Sequence, residues 1–514
     1  MSSNRVILKN TLFLYVRSIL ILFINLYSSR VLLKTLGIED YGLYNVVAGF
    51  VSMFGFLNTA MVNGIQRFMN SALGKGDKLY FEKIYRTSLL LQIIISVFVL
   101  LLVETIGVWF VNNKMNIPGG RYVAANVILQ FSTISFVVKI CQAPYTSVII
   151  SNEKMNFFAS QGIVEAILLL LIIFVIRIVP GDRLIVYSVL LFSVSIIIFA
   201  INYVYSRHIY KLDKSYSVSI DKSTLWEMAS FSGWNLFGAL SGILKSQGIN
   251  VLLNMFFTVS VNAARGIAYQ VLGGVNSMIG NFQTAIKPQL IQSYAEGNTE
   301  RYFSLVNRGT KISFYLMWML VLPLIIAINP ILCVWLGSDS VPPYTSIFTI
   351  LALLTGLVDS YASTISLAIY AIGDIKYYQI IVSSAIISII PISYVCLKCG
   401  ALPEITMIVS LIISIFAQII RVVIWRRKIY FSLKTYLLSV IIPTVCVALF
   451  SFIACRYLMS FFCFIGSNLL YIMIAIVLSV LINSLFIYSF GITKIERQII
   501  NNKVLSFKQN FLGK

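Results

Sequence analysis

Gln66-Arg67-Phe68-Met69-Asn70-Ser71-Ala72-Leu73-Gly74-Lys75-Gly76-Asp77 is answered by Gln289-Leu290-Ile291-Gln292-Ser293-Tyr294-Ala295-Glu296-Gly297-Asn298-Thr299, 223 residues further on. Glu153 through Phe158 is answered in the same way by Asp374 through Lys376 and Tyr377-Tyr378, at a similar offset. Either echo alone is within the reach of chance in apolar sequence of low complexity. Two at matching offsets, with a strongly basic connection between the halves, point to a duplicated unit.

The surrounding residues say what is duplicated. Uncharged runs of about 18 to 25 residues recur down the chain, the length of helix that crosses a hydrocarbon core of about 30 Å. Of 514 residues 59% are hydrophobic and 11% charged, and mean hydropathy is +0.90. A soluble domain of this composition would expose large apolar patches, so the solvent is lipid. β-barrel alternation is absent, and the fold class is an all-α integral membrane protein.

Fourteen spans are expected, at 11–33, 41–63, 84–111, 122–150, 157–178, 184–206, 227–255, 266–286, 312–336, 344–372, 377–397, 403–425, 435–455 and 467–490. The first has Arg5 and Lys9 ahead of it like a signal peptide, but it runs to about Leu33, carries Arg17 and lacks an A-x-A site, so it reads as a span. Spans one to six pair with seven to twelve. Six is even, so the copies share an orientation: two six-helix lobes in a parallel repeat, plus two C-terminal helices. The expected organisation is an N-lobe at 1–206, a basic linker at 207–226, a C-lobe at 227–426, and spans thirteen and fourteen with a basic tail at 427–514.

The net charge of +21 would suggest nucleic acid in a soluble protein. Here the basic residues lie between spans, where they set orientation, and nucleic acid is not an expected partner. Cytoplasmic termini put Arg67, Lys75, Lys78, Lys83 and Arg86 inside, then Arg207, Lys211, Lys214 and Lys222, then Lys287, Arg301, Arg308 and Lys311, and then Arg421, Arg426, Arg427, Lys428 and Lys434. The expectation is a multi-pass plasma-membrane protein with both ends in the cytoplasm. The seven Cys have no metal-ligand spacing apart from Cys396 and Cys399, and a single His leaves little for a zinc site. They read as small apolar residues, and no metal or cofactor is expected.

No connection exceeds about 30 residues, so function is confined to the bilayer, where polar side chains are costly and face protein or water. Span two offers Asn45, Gly49, Ser52, Thr59 and Asn63, and span eight Gln270, Gly274, Ser277, Asn281 and Thr284. Span seven gives Asn235, Gly238, Gly242 and Lys245, span four Ser132, Ser135, Lys139, Gln142 and Thr146, and span ten Gly356, Asp359, Ser363, Ser366 and Tyr370. Steps of three, four and seven put each set on one face. With Asn25 of span one they suggest a hydrated cavity lined from both halves, although close helix packing accounts for the Gly and Ser positions equally well. Packing does not account for Lys139, Lys245 or Asp359, since a charge at mid-span costs a few kcal/mol and needs a partner or water. Lys139 and Lys245, with Arg17 nearer the cytoplasmic end, suit an anionic head group such as a diphosphate. Asp359 and Glu165 are candidate carboxylates for coupling to protons or sodium.

Arg30 through Gly49 contains Leu36-Gly37, Tyr41-Gly42 and Tyr44, which resemble the signature after the first span of the polysaccharide transporter family. That family includes Wzx-type O-antigen flippases, within the MOP superfamily of flippases and multidrug exporters. The resemblance implies a MATE-like fold and alternating access, with a polyprenyl tail left in lipid while a diphosphate-linked oligosaccharide crosses. It also implies a cationic cavity, for which Arg17, Lys139 and Lys245 are the nearest matches, and association with polysaccharide polymerase or assembly proteins. A cation-coupled multidrug exporter of the MATE branch is the alternative. Many of those carry a first-span carboxylate, and no Asp or Glu occurs between Thr11 and Leu33, while Asp359 keeps that reading open. A lipid II flippase is a nearer alternative in chemistry. A membrane glycosyltransferase or polymerase would need a larger outer loop bearing catalytic residues, so an enzyme is not expected.

Overall fold

The computed structural model describes residues 3–113, 115, 117, 120–209, 221–257, 259–337, 341–462, 468–492 and 497–498. Some side chains of the first two helices, among them those of Asn25 and Asn45, lie outside the described residues, as does most of the linker, at 210–220. All regular structure among the described residues is helical.

The helices, in order, are α1 (Ser3–Leu36), α2 (Ile38–Ser52), α3 (Gly55–Lys75), α4 (Lys78–Leu102), α5 (Val108–Asn113), α6 (Tyr122–Ser151), α7 (Met155–Ile178), α8 (Arg183–Ile209), α9 (Lys222–Phe256), α10 (Val259–Ala295), α11 (Thr299–Ile326), α12 (Ile328–Leu336), α13 (Thr345–Ile372), α14 (Lys376–Ile387), α15 (Ile389–Lys398), α16 (Ile405–Lys428), α17 (Leu433–Tyr436), α18 (Ile442–Ser460) and α19 (Asn468–Phe486). π-helical turns at Val103–Gly107 and Leu437–Ile441 join α4 to α5 and α17 to α18.

Twelve helical segments among the described residues are long and apolar enough to cross a membrane, and they coincide with spans two to seven and nine to fourteen. The other two expected spans are α1 and α10. α10 has 37 residues, ample length, but Asn, Gln and Gly dilute its hydropathy. A helix this polar can sit in a membrane only if much of its surface meets protein or water.

The repeat shows in backbone conformation as well as in sequence. Left-handed positions fall at Gly76 (φ 68) and Gly297 (φ 73), at Glu153 (φ 57) and Gly373 (φ 98), and at Gly181 (φ 117) and Gly400 (φ 86). Each ends equivalent helices: α3 and α10, α6 and α13, α7 and α15. The left-handed turn occurs in both halves even though one copy carries glutamate, Glu153, where the other carries Gly373.

By compactness the chain divides into two units. The first holds Met1–Leu240, Thr284–Thr299 and Ile369–Ile380; the second holds Ser241–Gln283, Glu300–Ala368 and Ile381–Lys514. In the first, Leu43, Val47 and Val51 of α2 pack with Val99 and Val103 and with Ile128, Leu129 and Ile140 of α6. Val31 and Leu32 of α1 pack with Ile172, Ile173 and Ile176 of α7 and Tyr187, Val194 and Ile198 of α8. Hydrocarbon gives no hydrophobic drive for such contacts, so shape fit and hydrogen bonds hold the helices together.

In the second unit the indole N–H of Trp425 (α16) donates to the Tyr302 hydroxyl of α11 (3.0 Å), which donates to the Ala368 carbonyl of α13 (3.0 Å). Trp318 (α11) donates to the Ser451 hydroxyl of α18 (2.8 Å). Only Ala475, Ser479, Ile482 and Asn483 of α19 are buried, whereas Leu469, Met473, Val477 and Leu481 are exposed. One narrow inward stripe marks a peripheral membrane helix, which is why spans thirteen and fourteen carry so little polar patterning.

Candidate functional site

The second unit gathers charge at one place. Lys245 (α9) and Arg421 (α16) each lie within electrostatic reach of Asp359 (α13), and Ser414, two turns before Arg421, lies close to the Asp359 carboxylate. All are on helices whose flanking residues are apolar, so this is an intramembrane cluster. Two cations surround one carboxylate, and no ion pair closes between them among the described residues. Arg421 is buried at 8% exposure, and its Nε and Nη1 donors have no partner among the described residues. A guanidinium held in a nonpolar bundle with idle donors is placed to take a further acceptor.

The first unit gathers a smaller group. Arg17 (α1) runs along α7, with its guanidinium 4.6 Å from the centre of the Phe158 ring and within electrostatic reach of Glu165. It packs on Gly162, where any β-carbon would overlap the guanidinium. Small size at 162 therefore makes room for the cation. Lys139 is exposed on α6, with no ion-pair partner among the described residues. Of the cations expected to hold a diphosphate, Arg17 is thus grouped with Glu165 and Lys245 with Asp359, while Lys139 belongs to neither group.

The polar residues expected to line a cavity are distributed as follows. In the first unit Gln142 is partly buried on α6, and Asn235 is buried with its amide donating to the Phe231 carbonyl (3.2 Å). In the second, Gln270 is exposed and Asn281 partly buried on α10. The side chains of Asn25 and Asn45 are outside the described residues.

Two functional candidates escape the sequence. Arg421 stands close to the basic run at 426–428 and so reads as an orientation signal. Lys287 reads likewise, yet it is buried: its ammonium donates to Asn63 Oδ1 (2.8 Å) and Gln66 Oε1 (2.7 Å) in α3. Nearby, Gln289 donates to Glu153 (3.1 Å), and Gln292 to Asn70 (3.3 Å) and the Ser151 carbonyl (3.1 Å). The quoted echo thus forms a polar seam, in which α3 and the end of α10 meet through the repeated residues themselves. No group of His, Cys, Asp and Glu capable of holding a metal occurs among the described residues.

No protein-family model matches the chain. A curated relative, the uncharacterized membrane protein EpsK of Bacillus subtilis (strain 168), is 18% identical over 339 residues, and the alignment spans 66% of each chain, just under two thirds of the relative's length. Solved structures share the fold at low identity. An outward-facing multidrug resistance MATE family transporter of the MOP superfamily has a TM-score of 0.70 at 13% identity, covering 83% of this chain and 96% of its own. A point variant of the Vibrio cholerae MATE transporter VcmN scores 0.67 at 15% identity, covering 83% and 97%. A MOP superfamily transporter from Pyrococcus furiosus, described as having a binding pocket of reverse polarity that suggests a different function, scores 0.70 at 12% identity, covering 85% and 97%. The chain has the all-helical membrane fold of the MATE transporters of the MOP superfamily.

Proposed function

We propose that the protein is a flippase that carries polyprenyl-diphosphate-linked oligosaccharide, an O-antigen or other surface polysaccharide unit, across the plasma membrane by alternating access of its two lobes, with both termini cytoplasmic. The observation that carries the reading is the surplus of positive charge in the second unit: Lys245 and Arg421 about the single carboxylate of Asp359, with two guanidinium donors unspent. A diphosphate supplies the acceptors that these donors lack. A cationic drug would meet net repulsion there, which disfavours the multidrug-exporter alternative. The relative of this fold described as having a pocket of reverse polarity supports a departure of this kind within the superfamily. On this reading Asp359 offsets part of the charge of the two cations until the substrate arrives, and Glu165 offsets that of Arg17. Polymerase or assembly proteins are the expected partners.

Ligand-dependent stabilisation tests the reading. A polyprenyl diphosphate at about one hundred times its Kd adds about 2.7 kcal/mol to the folded state, whereas the corresponding polyprenyl alcohol adds little. In Arg421→Gln and Lys245→Gln the diphosphate increment is expected to vanish. Equal stabilisation by diphosphate and alcohol, or an unchanged increment in both variants, rejects the site.

A further inference from the structure

A groove on the second unit has no part in this transport reading. Its walls include Val358 of α13, Gln418, Ile419 and Val423 of α16, and Leu437 and Ile441 at the π-helical turn before α18, and it encloses about 350 Å3. At the C-terminal end of α16 it opens, through the shared Val422, Val423 and Leu433, into a second hollow of about 310 Å3 that includes Arg426, Arg427 and Tyr430. Arg426 and Arg427 are exposed and Tyr430 is 89% exposed, as suits a cationic and aromatic rim at the level of lipid head groups. Ile419, Val423 and Leu437 are also exposed, so the groove faces outward into hydrocarbon.

We propose that this groove binds one anionic phospholipid, its phosphate on Arg426 and Arg427 and an acyl chain in the cleft between α13, α16 and the segment of α17 and the π-helical turn that follows it. Charge complementarity carries the choice of occupant: two adjacent arginines cap an otherwise apolar cleft, and no acidic residue lines either hollow. A second observation is independent of charge. Gln418 is 9% exposed, yet neither its amide oxygen nor its nitrogen has a partner among the described residues. Buried amides in finished packing are paired, so this wall of the cleft is completed by an occupant or by water entering with it. The π-helical turn opposite is a kind of helix irregularity that recurs at functional sites.

The test is lipid titration of the purified, delipidated full-length chain, read by native mass spectrometry with phosphatidylglycerol and phosphatidylcholine as probes. One phosphatidylglycerol is expected to bind in preference. At about 1 kcal/mol per surface arginine, each of Arg426→Gln and Arg427→Gln weakens it about fivefold. Ile419→Trp and Val423→Trp, which fill the cleft from exposed positions, each abolish the preference, and either suffices if the other folds poorly. Phosphatidylglycerol binding unchanged in the double arginine variant overturns the head-group assignment. Binding unchanged in both tryptophan variants overturns the groove, leaving only surface attraction. Displacement of phosphatidylglycerol by an equimolar polyprenyl diphosphate overturns the choice of occupant.

Discussion

Arg421 decides more of the account than any other residue, and its sequence context conceals it. It stands five residues before Arg426-Arg427-Lys428, so charge counting folds it into the run that sets orientation. Only the rotation of α16 separates it, turning Arg421 and Ser414 toward Asp359 while Arg426 and Arg427 stay exposed. Lys245 and Asp359 were legible, because a lone charge at mid-span has no cheap explanation. Their grouping was not, since nothing in their spacing says which helices meet. Removing Asp359 leaves two unneutralised cations in one cluster. Asp359→Asn is therefore expected to destabilise the protein by about 1–3 kcal/mol, and Arg421→Met in that background to recover part of the loss. Thermal unfolding of both single variants and the double measures this coupling; strict additivity means the residues do not interact. Lys287→Met removes two hydrogen bonds to Asn63 and Gln66 and is expected to cost about 1–3 kcal/mol. A melting temperature equal to wild type in the same detergent rejects that role.

At the scale of elements, hydropathy gave the helices and also marked where it ceased to. Most spans stand out by length and apolarity, whereas α10 is long but more polar, and its reading as a span gains support from its place as the repeat partner of span two. The sequence offset of 223 between the echoes differs by two residues from the 221 that separates the left-handed turns Gly76 and Gly297. Local matches of Gln and Gly mislead in register, whereas backbone conformation does not. Gly74 shows why the echo matters: a β-carbon there would lie 2.6 Å from the Gln292 carbonyl oxygen and 2.9 Å from its α-carbon. Backbone atoms cannot yield as a side-chain tip can, so Gly74→Ala is expected to push α3 from α10 and cost about 1–3 kcal/mol. In Gly162→Ala the atoms nearest the added β-carbon are those of the flexible Arg17 guanidinium, so it should displace Arg17 and reduce transport while leaving stability near wild type; matched losses in both would show a packing defect instead.

The start of α9 offers a test by acid. The Asp221 carboxylate accepts from the Ser223 amide (3.1 Å) and from the hydroxyls of Ser223 (2.9 Å) and Thr224 (3.1 Å), and these bonds hold its pKa below the usual carboxylate value. A depressed pKa contributes stability that is fully present above the unfolded value, near 4, and is lost as pH falls through the folded one. The protection factors of the amides in the first turn of α9, measured against the intrinsic exchange rate at each pH, should therefore fall in acid in the wild type. In Asp221→Ala protection there should be low at every pH, and wild-type protection that does not change with pH contradicts the cap.

For the whole molecule, composition pointed to lipid as the solvent, short connections argued against a large outer domain, and the duplicated stretch implied two like-oriented lobes. The fold shared with MATE transporters agrees with that reading. Fold does not choose the substrate; the proposed function assigns that choice to the sign of the intramembrane charge. The most direct measurement is translocation of a fluorescent polyprenyl-diphosphate oligosaccharide in proteoliposomes, run beside efflux of a cationic dye, for wild type, Arg421→Gln and Asp359→Asn. Lipid transfer by the wild type, a loss of about tenfold or more in Arg421→Gln, and no dye efflux are expected. Dye efflux that is driven by a proton or sodium gradient and lost in Asp359→Asn, with no lipid transfer by the wild type, would contradict it.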